Sequence, residues 1–130
     1  MSFQRTILVI DDDSELRQTI GELLAEEGYR AICVANGLEA LRHLRTHKAR
    51  PGLILLDLMM PIMNGWQFRQ EQLRDAGLSQ IPVVVLTASR GLDRDPIDAA
   101  AVLLKPLELD ELLAAIEGHF SEESVSAAPQ

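Results

Sequence analysis

Short apolar runs recur along the chain, and four of them stop at a polar residue: ILVI at Asp11 and Asp12, LILL at Asp57, VVVL at Thr87 and VLL at Lys105. Runs of this length, bounded by turn residues, read as strands rather than buried helices. The first spans about Thr6 to Ile10, a further strand falls at Arg30 to Val34, and Pro82 opens Val83 to Leu86. Between them the apolar positions recur at helical spacing. Leu16, Ile20, Leu23 and Leu24 form a stripe behind Asp13 or Ser14 as cap and end near Gly28, and Leu38, Leu41 and Leu44 follow Asn36. A third helix is predicted from Asn64 or Gly65 to about Ala76, with Gly77 as its stop. The last is the clearest: Leu109, Leu112, Leu113, Ile116 and Phe120 share one face, and acids fill its first turn, where the helix dipole favours them.

Strands alternating with helices predict a doubly wound α/β domain with a parallel sheet, and the wholly apolar Leu53 to Leu56 belongs at its centre. The carboxyl ends of parallel strands share one edge. Residues far apart in sequence then converge there: Asp11, Asp12, Asp57, Thr87 and Lys105. Taken singly, Asp13 is a helix cap, Thr87 a strand-end threonine and Lys105 a solvated lysine before a helix. Taken together, the set suits a divalent cation held by carboxylates, an aspartate that accepts a phosphoryl group, and a hydroxyl and an ammonium to hold its oxygens. Clustered carboxylates repel one another unless a cation neutralises them, and Mg²⁺ prefers oxygen ligands while keeping several waters.

Composition narrows the class. With 130 residues and 47% hydrophobic content, the chain can bury one core, read as a domain over 1–120 with a disordered tail over 121–130. A net charge of −8 argues against direct nucleic-acid binding, which calls for a basic face. No stretch approaches the roughly 20 apolar residues of a membrane span, which points to the cytoplasm. The single cysteine, Cys33, is expected to be a buried strand residue. His43, His47 and His119 are not spaced with the acids as a metal site, and Met59, Met60 and Met63 are expected to pack around the acceptor. Trp66, opening the third helix, is a candidate reporter of the site.

The motifs ILVIDDDSELR, LILLDLMMPIMNGW, VVVLTAS and VLLKP, in this order, resemble those of response-regulator receiver domains of two-component signalling, from Arg5 to Phe120. The resemblance implies a flavodoxin-like five-stranded sheet of order 2-1-3-4-5. It makes Asp57 the phosphoacceptor, with Pro61 and Gly65 at the family's spacing. It implies Mg²⁺ held directly by Asp12 and Asp57, by Asp11 largely through water, and by the backbone carbonyl of Met59. Lys105, aimed by a cis peptide to Pro106, and Thr87 would hold the phosphoryl oxygens. The implied partners are a histidine kinase or phosphotransfer protein and an output protein, with oligomeric state left open. The chain reads as a stand-alone receiver that catalyses only its own phosphorylation and dephosphorylation.

Two departures stand out. Val102 occupies the position, three before the lysine, that is usually aromatic, so the usual ring rotation has no counterpart. Only 18 positions separate Thr87 from Lys105, a few fewer than in similar receivers. The fourth helix is therefore expected to be short or irregular, with Gly91 and Pro96 interrupting it and regular turns confined to Asp98 to Ala101. Other classes fit less well. An aspartyl-phosphate phosphatase of the haloacid dehalogenase type would want an acid where Met59 stands, and a flavodoxin-like cofactor binder would want a phosphate loop where the acids stand. A degenerate receiver that binds partners without phosphorylation conflicts with the intact acid, threonine and lysine set, though Val102 lends it some support.

Overall fold

The computed structural model describes residues 5–47, 50–88 and 96–127. Strands and helices alternate as β1 (Thr6–Ile10), α1 (Ser14–Glu26), β2 (Arg30–Val34), α2 (Gly37–Thr46), β3 (Leu53–Asp57), α3 (Gly65–Arg74), β4 (Val83–Thr87), β5 (Ala101–Leu104) and α4 (Leu109–Ala127). All pairings are parallel and the order is β2-β1-β3-β4-β5, the expected flavodoxin-like arrangement. The period-2 alternation of the central strands divides the core into two layers. Leu8, Ile10, Ile54, Leu56 and Val85 pack with Leu41, Leu44 and Phe68 on one face. Ile7, Val9, Leu53, Leu55 and Leu86 pack with Ile20, Leu24, Leu112 and Ile116 on the other.

Side chains cap each of the first three helices, because the first N–H groups of a helix need acceptors from outside it. Asp13, rather than Ser14, caps α1 by accepting from Glu15 and Leu16 N–H. Asn36 caps α2 through Glu39 N–H, and Asn64 with Gln67 forms a reciprocal capping box at α3. These caps begin each helix directly after the turn that leaves the strand edge, which is the geometry the site uses.

Several expectations are corrected. Helix α3 ends at Arg74, not Ala76, because Asp75 accepts Gly77 N–H with its side chain at 2.9 Å and Ser79 N–H with its carbonyl at 2.8 Å, tightening the chain into a turn. Cys33 is exposed: it lies on the edge strand β2, above Gly21, whose missing side chain leaves the sulfur uncovered. Helix α4 continues past Phe120 to Ala127, where a tail was expected from Ser121; no glycine or proline interrupts 121–127.

The connection from β4 to β5 is irregular over 96–100, and Asp98 to Ala101 forms no helical turn. Ala100 N–H donates to Val83 O at 2.8 Å and Ala101 already belongs to β5, so the sheet claims these residues. Gly91 and the rest of 89–95 lie outside the described residues. Val102 and Leu104, on the β5 face turned toward this connection, are exposed.

Candidate functional site

The carboxyl edge of the sheet gathers the predicted residues. Strand register sets Asp57 against Leu86 and Thr87 against Leu104, so β3, β4 and β5 end nearly level. One carboxylate oxygen from each of Asp11, Asp12 and Asp57 lies within 4.8 Å of the others. Asp11 is fully buried and Asp57 nearly so, while Asp12 faces solvent.

Asp11 is the most constrained of the three. Its Oδ1 accepts Asp13 N–H at 2.9 Å, and its carbonyl accepts from Arg17 at 2.6 Å. Its Oδ2 accepts from Lys105 Nζ at 2.9 Å, and the same ammonium stands 3.5 Å from Asp57 Oδ1. Lys105 reaches in from a cis peptide to Pro106, and its backbone N–H donates to Thr87 O at 2.7 Å, tying the start of that turn to the end of β4. Thr87 is buried beside it.

Met59 N–H donates to Asp57 Oδ1 at 3.3 Å. The loop that carries Met59 folds back because Gly65 lets α3 start against β3. A Cβ on Gly65 would stand 2.7 Å from Asp57 O and 2.8 Å from Leu58 Cα, a collision with backbone that cannot relax.

Electrostatics single out Asp57. Burial, then the charge of Asp11, push its carboxyl up to about 6, against the pull of Lys105 and of Met59 N–H. For Lys105, burial opposes the charge, yet the Asp11 hydrogen bond and the charges of Asp11 and Asp57 prevail and raise its pKa. One lysine therefore leaves the three acids under-neutralised. The missing charge and the all-oxygen donor set fit a hard divalent cation of the Mg²⁺ kind.

A family model described as the response regulator receiver domain matches residues 7–117. The chain belongs to the response regulator receiver family. Response regulator Rre1 of Synechocystis sp. is 34% identical to this receiver over 128 residues, 94% of this chain and 54% of Rre1. The chain thus spans about half the length of that relative. Among solved structures, chemotaxis response regulator CheY4 of Vibrio cholerae matches with a TM-score of 0.79 at 26% identity, covering 90% of this chain and 99% of CheY4. Response regulator TrrA of Thermotoga maritima, solved in complex with Mg²⁺ and BeF, matches with a TM-score of 0.78 at 28% identity, covering 89% and 99%.

Other singled-out residues lie elsewhere in the receiver or behave differently from expectation. Met60 is buried and Met63 packs against the core, but Met59 is 65% exposed and packs little. Its place just past the strand end, where the chain turns out over the pocket, explains why the packing expectation fails. Trp66 lines a cavity of about 520 Å³ between α3 and Pro96–Asp98. Arg69, unremarked in the sequence, is largely buried and donates to Asp98 O at 3.0 Å and to Gln72 Oε1 at 2.8 Å. Its spacing on α3 signals only a solvated helix face. His43, on α2, stacks on His47, the residue that ends the helix, and neither belongs to the acid cluster. No helix among the described residues is long and apolar enough to cross a membrane.

Proposed function

We propose that this receiver accepts a phosphoryl group on Asp57 from a phosphohistidine protein or a small phosphodonor, with Mg²⁺ required, and that phosphorylation changes its affinity for another protein. The supporting observation is the meeting of Asp11, Asp12 and Asp57 with the Lys105 ammonium at one strand edge. Asp12 and Asp57 would hold the ion directly, Asp11 through water, and the Met59 carbonyl would add a further ligand. The ion supplies charge neutralisation for the carboxylates and the transferred group.

Lys105 and Met59 N–H both face Asp57 Oδ1, which holds the carboxylate in one orientation. The other oxygen attacks phosphorus in line, an O–P bond forms, and the bond from phosphorus to the donor nitrogen or oxygen breaks. Lys105 then serves the phosphoryl oxygens, and the Thr87 hydroxyl hydrogen-bonds one of them. Because Thr87 and Lys105 share a backbone hydrogen bond, a shift of either moves the β4 and β5 ends together. With Val102 in place of an aromatic ring, that coupled backbone shift carries the signal to the surface. A partner that prefers the shifted state reads it.

The test incubates the protein with acetyl phosphate and Mg²⁺ beside Asp57→Asn and resolves both on a phosphate-affinity gel. A retarded band in the wild type, lost in the variant and with EDTA, is the expected result. A band that persists in Asp57→Asn puts the acceptor elsewhere.

A further inference from the structure

Strands β1 and β2 pair as far as Ile10 and Val34, and Asp11 N–H adds one more rung to Val34 O at 3.2 Å. In a parallel strand the N–H and C=O of one residue point to the same side, so the Asp11 carbonyl faces β2 as well. The next rung would need a donor at residue 36, and there the chain has already left the sheet, with Asn36 as the cap of α2. Arg17 fills the gap. Its Nη1 donates to Asp11 O at 2.6 Å, reaching back along α1 because side chains on a helix lean toward its N-terminus.

Arg17 reaches the acid turn yet pairs with none of its carboxylates. The salt bridges of the described residues are made by Arg45, Arg69, Arg74 and Lys105, and it is Lys105 that meets Asp11 and Asp57. The guanidinium therefore leaves the carboxylate oxygens open to a cation and grips the peptide between Asp11 and Asp12 instead. That peptide matters because the acids repel. One oxygen from each of Asp11, Asp12 and Asp57 lies within 4.8 Å of the others, a spacing that like charges resist. Asp11 is buried and held by Lys105 and Asp13 N–H, and Asp57 is held by Met59 N–H and Lys105, whereas Asp12 is exposed. Where Asp12 points is set by the backbone before it, and Arg17 fixes that backbone from outside the turn.

We propose that Arg17 is a positioning residue that makes the acid site selective for Mg²⁺ over a larger divalent cation such as Ca²⁺, a proposal that rests on the function argued above. Mg²⁺ demands near-ideal octahedral geometry, while Ca²⁺ accepts more oxygens in flexible arrangements. A pinned Asp12 suits the first ion, and a turn free to spread its carboxylates suits the second. Groups that hold metal ligands in place are worth about ten- to hundredfold in affinity.

The test titrates Mg²⁺ and Ca²⁺ separately into the metal-free full chain by calorimetry, at fixed ionic strength and below the thermal midpoint, for wild type, Arg17→Met and Arg17→Gln. Both replacements are good helix formers, and neither serves the carbonyl: Met has no donor, and the Gln amide ends short of it. The Kd for Mg²⁺ rises about tenfold in each, while that for Ca²⁺ changes by less than about threefold. If charge were all that Arg17 supplies, its removal beside the acids would tighten both ions, so a fall in both constants overturns the proposal. Unchanged constants, whatever the thermal midpoint, make Arg17 a structural cap of β1 and overturn it too, as does an equal rise for both ions. Wild type that binds no Mg²⁺, or binding that persists in a variant carrying Asp12→Asn and Asp57→Asn, overturns the function on which the proposal rests.

Discussion

Asp57 is a carboxylate that the fold makes harder to ionise, and this has a measurable effect on stability. Its pKa, pushed to about 6 by burial and by Asp11, lies above the value of about 3.9 expected in the unfolded chain. Between those values the folded protein holds a proton that the unfolded chain has released. Stability of the metal-free protein therefore falls as pH rises from about 4 to about 6, and the loss is complete above that window. An asparagine at this position has no charge to desolvate. In EDTA, Asp57→Asn should match wild type near pH 4 and exceed it by roughly 1–3 kcal/mol at pH 7.5, as measured by urea denaturation at each pH. A constant difference across the range would mean that the carboxylate is not under this pressure. The pressure itself was only partly legible in the sequence. That three acids end two apolar strands is plain from ILVIDD and LILLD; that Asp11 is buried on Lys105 while Asp12 stays in solvent depends on Arg17 and Asp13 N–H, contacts set by where α1 begins.

Helix α3 transmits the position of the site to the rest of this side of the sheet. Gln72 is fully buried, donates to Leu78 O and Ile81 O at 3.0 Å each, and accepts from Arg69, which also grips Asp98 O. One amide thus joins α3, the turn into β4 and the connection into β5. Gln72→Met keeps the length of the side chain but leaves two buried carbonyls without donors, each worth about 1–3 kcal/mol. The expected outcome is a loss of roughly 2–4 kcal/mol in chemical denaturation, with hydrogen exchange accelerating first in 75–82. Loss of protection spread evenly over the chain would show that Gln72 has no such local role. At this scale, elements with a clear period were legible: the β3 run LILL, the α1 stripe, the caps Asn36 and Asn64. Gln72 and Arg69 were not, because a glutamine and an arginine on a helix read as solvated until tertiary contacts bury them. Cys33 departs from expectation for a related reason: an apolar run marks a strand but not whether it lies at the centre or the edge of the sheet.

For the molecule as a whole, the acid site is left as a local excess of negative charge that folding tolerates and a bound cation removes. Lys105 supplies one positive charge to Asp11 and Asp57, and both carboxylates owe part of their tolerable burial to it. A Mg²⁺ ion bound only in the folded state stabilises it by RT ln(1 + [Mg²⁺]/Kd), about 1.4 kcal/mol at ten times Kd. Since protons and the ion compete for Asp57, this gain should shrink below about pH 6, where the carboxyl is protonated. Lys105→Met leaves buried Asp11 without its counter-ion, and the metal-free variant should lose roughly 1–3 kcal/mol, less than a fully buried pair would because Lys105 is partly exposed. The ion can then offset a larger share of the repulsion than in wild type. Thermal midpoints measured with EDTA and with one common Mg²⁺ concentration, about ten times the wild-type Kd, should therefore differ more for Lys105→Met than for wild type, and hardly at all for a variant with both Asp12 and Asp57 changed to Asn. Equal shifts in all three proteins would place the ion away from these carboxylates, and with it the charge on which the proposed phosphoryl transfer relies.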